Sequence, residues 1–435
     1  MGTSPPHSMF SRFVPAWYNA VMKVFTKRKQ ILLPLTLAAL LVALSACSGA
    51  GRATDAPSSQ PTPSVSVGEG SLAEGRMLDW SLTLLHLADN GDNLALSPAA
   101  LTSEIAALRL GVQGKPLQDT ATALGAQDMS PKQINDAALK ARQTMEKLKL
   151  GRYSALWCLF VGENQPVLEA YLSEGQKALQ MSSRFEPLSG DTGKAALNEW
   201  ADTGTVGMVS DLDFDVPSTD QPFFVDLFMA DPDWQTALDP AKTRPQPFFY
   251  EDGDKSAVPT LVVMGRCGIY NGPEGAMAVL PLAGDEARLV VLFPKEDGVK
   301  LTDFYATAQA RHDEWLTKAT WGSQRVLLPR FSIGYRGSIR GLLGAAGMGS
   351  LFAGDTDYSA MGQGLHPADI LHDCRLILDE SGVNTADPKA SYRSGVDDGI
   401  PTLAVNRPFL VLLEKTDTGA VLLAGAVRDP LTALK

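Results

Sequence analysis

Phe409-Leu-Val-Leu-Leu413 and Ala420-Val-Leu-Leu-Ala-Gly-Ala-Val427 are two almost unbroken apolar runs, joined by Glu414-Lys-Thr-Asp-Thr-Gly419. Runs this rich in Val and Leu, linked through a Gly-containing turn, read as paired strands buried on both faces. Upstream lies the opposite kind of sequence: Gly382 to Pro401 is rich in Gly, Asp and Ser and has no sustained apolar period. Before that, Arg375-Leu-Ile-Leu378 reads as another core strand. Two core strands therefore flank a structureless stretch of about twenty residues, and loops that long inside a domain are uncommon and usually functional or disordered.

Working outward, the chain has 435 residues, 45% of them hydrophobic, with a formal net charge of −11. That is ample for a large core. No basic stripe is visible, which argues against a nucleic-acid partner. At the other end, Lys27-Arg-Lys29 precedes an apolar stretch from Ile31 to Leu44 and then Leu44-Ser-Ala-Cys47. A basic start, a short apolar run and small residues before a cut site describe a secretory signal peptide. The run is short for a membrane span, which needs about twenty apolar residues. Ending at a cysteine, it resembles a bacterial lipoprotein signal, with Cys47 as the lipidated first mature residue and Met22 as a plausible true start. Ala56-Pro-Ser-Ser-Gln-Pro-Thr-Pro-Ser64 reads as an extended tether. The expected layout is a signal peptide over 1–46, a tether over 47–70 and one folded domain over 71–435.

Inside that domain, Ser71 to Ala88 has a helical period, Leu94-Ala-Leu96 is a short strand, and Ser97-Pro98 reads as an N-cap with Pro at the first helical position. Ile134 to Leu150 is amphipathic, and its basic residues are interrupted by Asp136 and Glu146, so they read as a solvated face. Further strands are expected at Phe223–Met229, Val258–Met264, Val279–Pro281 and Leu289–Pro294. Removing Cys47 leaves Cys158, Cys267 and Cys374, an odd number that allows at most one disulfide. Cys158 and Cys374 read as small buried hydrophobes. No clustered His or CxxC accompanies any of them, so neither a metal nor another cofactor is expected.

Several short motifs resemble those of the serpin family in order and spacing. They are the helix–strand–Ser97-Pro98 opening, Leu197-Asn198-Glu-Trp200 running to Thr205, Gly207 and Asp211-Leu212, and Phe223–Met229 leading to Trp234. They continue with Leu328-Pro-Arg-Phe331, Asp357-Tyr-Ser-Ala-Met361, His372, Asn406-Arg-Pro-Phe-Leu410 and Gly425-Ala-Val427. Together they cover about residues 71 to 430. The resemblance implies an α+β fold: a single large domain with three β-sheets, several helices and an exposed reactive-centre loop. It also implies a monomeric inhibitor, whose partner is a serine protease and whose membrane contact is the lipid at Cys47. Catalytic residues are not expected, and no G-x-S-x-G, S-x-x-K, H-E-x-x-H or P-loop is present. A triad assembled only in space would escape such a scan.

In that family, the loop before the terminal hairpin is bait. The protease attacks it, and the cut loop enters the main sheet as a new strand. The resemblance places the hinge at Glu380, Gly382, Val383, Thr385, Asp387 and Pro388. It places the scissile bond at Val396-Asp397, with Arg393-Ser394 as the rival. Two features of this chain oppose full insertion. Alternation puts Val383, Thr385, Asp387 and Lys389 on one strand face, and burying an unpaired charge costs several kcal/mol. Pro388 also removes a ladder donor. A non-inhibitory serpin-fold binding lipoprotein, cleaved without trapping, is therefore the alternative. Leu327 stands where many serpins place a histidine that bonds across the sheet opening.

Overall fold

The computed structural model describes residues 72, 77–188, 190–217, 220–380, 399–432 and 434. In chain order the strands are β1 (Leu94–Leu96), β2 (Gly151–Gly162), β3 (Ser183–Glu186), β4 (Phe223–Pro232), β5 (Arg244–Phe249), β6 (Lys255–Asn271) and β7 (Gly275–Pro281). They continue as β8 (Ala287–Pro294), β9 (Thr320–Pro329), β10 (Phe331–Ser338), β11 (Ile370–Leu378), β12 (Thr402–Ala404), β13 (Phe409–Lys415) and β14 (Val421–Val427). The helices are α1 (Leu78–Ala88), α2 (Pro98–Gly111), α3 (Lys115–Ala123), α4 (Pro131–Lys147), α5 (Glu169–Leu179), α6 (Gly190–Gly204) and α7 (Leu301–Lys318), with short helical turns from Arg340 to Phe352.

Local chemistry sets the boundaries. Ser97 caps α2, its hydroxyl accepting the Ala100 N–H at 3.3 Å, with Pro98 at the first turn. Ser130 and Gln133 form a reciprocal capping box that starts α4 earlier than its apolar period suggests. Within the stretch expected to be helical from Ser71, α1 begins at Leu78, after Met77 in the left-handed region at φ 61°; Ser71 and residues 73–76 lie outside the described residues.

Two ladders result. Nine strands run β1-β14-β13-β8-β7-β6-β9-β12, with β5 also on β6; five run β10-β11-β4-β2-β3. The expected three sheets form two continuous ladders because β6 pairs β5 through its first part and β7 through its last, with β9 alongside. The hairpin pairs antiparallel from Phe409↔Val427 to Glu414↔Val421, as its apolar pattern dictates.

The five-stranded sheet is covered on both sides, and β4 shows how. Phe223, Val225, Leu227 and Met229 pack with Leu197 and Ala201 of α6. The alternate residues Phe224 and Phe228 face the interior, where α2 and the other sheet lie. Asp226, on that inner face, is fully buried. Cys158, Cys267 and Cys374 are free and buried.

Candidate functional site

Strand directions in the five-stranded sheet single out one seam. β10 and β11 are antiparallel, as are β4 and β2, but β11 and β4 run parallel from Ile370↔Phe224 to Leu376↔Ala230. Chain that leaves β11 and turns back runs antiparallel to it. With β10 already on one side, such a strand can pair with β11 only by entering between β11 and β4, where it would be antiparallel to both. One parallel ladder would become two antiparallel ones, which are slightly more stable per residue.

The exit from β11 is pinned. Trp234 donates its indole N–H to the Asp379 carbonyl at 2.8 Å. Arg330, between β9 and β10, lies 3.5 Å from the Glu380 carboxylate. Chain re-enters at β12, which lies parallel to β9 with Leu403↔Val326. The Arg325 N–H donates to the Pro401 carbonyl at 2.9 Å. Because β11 ends opposite Phe331 and β12 ends opposite Leu327, both anchors sit on one short piece of chain. Leu327 pairs with Val262 and Ala404, and its carbonyl accepts the Val405 N–H at 2.9 Å, but its apolar side chain can supply no hydrogen bond across this region.

Of the residues expected to act, Glu380 is thus placed. Gly382, Val383, Thr385, Asp387, Pro388, Arg393, Ser394, Val396, Asp397 and Cys47 lie outside the described residues.

The seam is bridged by a side-chain pair absent from the expectations. His372 of β11 and Asp226 of β4 are register partners, and Nδ1 of the imidazole lies 2.6 and 2.8 Å from the two carboxylate oxygens. Nε2 accepts the main-chain N–H of Ser97 at 3.2 Å. An Nε2 facing a donor must carry its lone pair there, so the proton sits on Nδ1 and is donated to Asp226. The trio superficially resembles a hydrolase triad, but the Ser97 hydroxyl donates instead to the Leu422 carbonyl at 2.8 Å. The nucleophile–base bond a triad requires is therefore not made.

Glu104 of α2 completes the group. It is fully buried, and neither carboxyl oxygen has a hydrogen-bond partner of good geometry. Burial first, and then the Asp226 carboxylate, push its pKa well above the ordinary carboxyl range. Sequence signals existed for both acids. Asp226 is a lone charge in an apolar run, and Glu104 shares the helical face of Leu101, Ile105 and Leu108.

Outside the seam, the residues after α6 are stitched down. Asn198 accepts the Leu212 N–H at 2.9 Å, and the Thr205 hydroxyl accepts the Val209 N–H at 2.9 Å. Trp200 meets Phe160 edge-on at 5.9 Å. These bonds explain why that stretch carries those residues at those spacings.

A family model described as Serpin (serine protease inhibitor) matches residues 81–430. Human antithrombin-III is 24% identical over 371 residues, which span 79% of this chain and 79% of that protein. Plasminogen activator inhibitor 1 of Neovison vison is 23% identical over 359 residues, covering 79% of this chain and 88% of that protein. Among solved structures, the thermophilic serpin tengpin in its native state superposes with a TM-score of 0.71 at 20% identity, covering 84% of this chain and 95% of that chain.

Proposed function

The chain belongs to the serpin family, and on that premise we propose that it is a suicide-substrate inhibitor of a serine protease outside the cytoplasm. In this reading Cys47 carries a lipid that tethers a monomeric domain to a bacterial membrane. The carrying observation is the parallel β4–β11 seam, which sits beside the β11 exit to the bait segment. Relatives named for thrombin and plasminogen-activator inhibition support the same reading.

The target's serine attacks the carbonyl of Val396, forming an acyl-enzyme ester while the amine of Asp397 leaves. The freed strand then enters the seam antiparallel to both neighbours and carries the acyl-enzyme with it. Entry requires the Asp226–His372 bridge to break, so that bridge sets part of the barrier. Asp387, Pro388 and Lys389 penalise the later part of insertion, so replacing them with alanines is expected to raise the fraction of protease trapped.

Incubating the purified chain with trypsin-like, chymotrypsin-like and elastase-like proteases tests the reading. An SDS-stable complex with cleavage after Val396 supports it. Cleavage by all three with no complex and no gain in heat resistance defeats it and leaves the non-inhibitory binding lipoprotein.

A further inference from the structure

Glu104 has no role in the scheme above, yet it occupies the most consequential position near the seam. It projects from α2, which packs against β4, one of the two strands that must part. A fully buried carboxyl without a hydrogen-bond partner is expensive in either protonation state and far more expensive when ionised. Its surroundings define which state the closed sheet tolerates.

From β4, Asp226 faces it as a carboxylate, already committed to the Nδ1–H of His372 on β11. From α4, Arg142 faces it as the nearby cation, but that guanidinium already pairs with Glu146 at 2.5 Å. From β11, the Cys374 thiol is buried near Asp226, while Cys158 of β2 lies on the outer face of the sheet with α6. Tyr153 of β2 is half-buried, its hydroxyl is buried without a partner, and it senses Glu146 and Cys374. Arg142, whose Nε is itself without a partner, lowers Glu104 less than burial and Asp226 raise it.

We propose that Glu104 is a proton-operated control on the opening of the β4–β11 seam: protonated, it lies quietly under the closed sheet, and ionised, it repels Asp226 and favours the open sheet. This regulation rests on the reading of that seam as the entry point for the bait segment.

The direction follows from linkage. The closed sheet holds Glu104 above its ordinary value, whereas opening exposes it to water and returns it toward that value. The closed state therefore binds more protons, and its advantage declines as pH climbs from the ordinary carboxyl range to the raised one. Opening grows by up to about tenfold per pH unit within that window.

Amide hydrogen exchange in the uncleaved full chain reads seam opening without any protease. Peptides covering 223–230 and 370–376 are followed from about pH 6 to about pH 8.5, with each rate divided by the intrinsic rate at that pH. Exchange through opening is expected to rise with pH in the wild type, by up to about tenfold per pH unit where Glu104 titrates. It should be flat in Glu104→Gln, which mimics the protonated acid, and equally flat in Glu104→Leu should the amide variant fold poorly. A wild-type profile that is flat, or a variant that keeps the wild-type slope, overturns the proposal. Protease trapping with no such slope sinks this inference alone, and a slope without trapping sinks only the inhibitory reading.

Discussion

Glu414, in the nine-stranded sheet, and Glu104, under the β4–β11 seam, are both fully buried, and they are treated in opposite ways. Arg288 donates to one Glu414 oxygen at 2.9 and 2.8 Å, and His312 of α7 reaches the other at 2.7 Å. Burial alone would raise Glu414, but His312 and Arg288 outweigh it and hold the carboxyl below its ordinary value. Glu104 has no such partners, and its neighbour is another acid. A saturated buried charge joins three elements and marks a region built to stay shut. An unsaturated one marks a region that carries a destabilising buried group.

The largest effect should come from stripping the saturated site. Glu414→Ala leaves Arg288 and His312 buried without their acceptor, and about 3–5 kcal/mol of unfolding free energy should be lost in urea titration. A loss below about 1 kcal/mol would remove the contrast between the two regions.

The same site predicts a pH dependence. Burial pulls His312 down, but its bonds to Asp313 and Glu414 outweigh this and push it up to about 9. A raised imidazole stabilises the fold fully below its unfolded value of about 6.5, and that contribution is lost as pH rises through the folded value. The melting temperature should therefore fall between about pH 6.5 and about pH 9, by the equivalent of roughly 3 kcal/mol. His312→Gln should lower stability and flatten this slope; an unchanged slope would place its origin elsewhere.

At the seam, Asp226→Ala strands the Nδ1–H of His372 and should cost about 1–3 kcal/mol. The sharper readout is local: hydrogen exchange should quicken in β4 and β11 and stay unchanged in β13 and β14. Uniform acceleration across both sheets would mean the bridge is not specific to the seam. Smallest of all, Arg330→Ala removes a half-exposed partner of Glu380 and should change global stability by less than about 1 kcal/mol.

The two regions also differ in how readable they were. Phe409–Leu413 and Ala420–Val427 announce a buried hairpin because both faces of each strand meet apolar chain. Ser97-Pro98 announces its helix start because capping is a local bond. The resemblance supplied the order of strands, which composition could not. The seam's chemistry was not legible. Glu104, Asp226 and His372 come from a helix and two strands far apart in the chain; Asp226 interrupts an apolar run alone, while Glu104 follows Thr102-Ser103 and His372 precedes Asp373. Only the parallel register that sets His372 opposite Asp226 turns them into a bridge.

A crystal structure of the chain cleaved in the segment between Glu380 and Gly399 is the most direct test of whether this sheet opens. A new strand is expected between β4 and β11, antiparallel to both, with Asp226 and His372 no longer in contact. A cleaved chain that keeps the Ile370↔Phe224 to Leu376↔Ala230 pairing and an intact Asp226–His372 bond would contradict it.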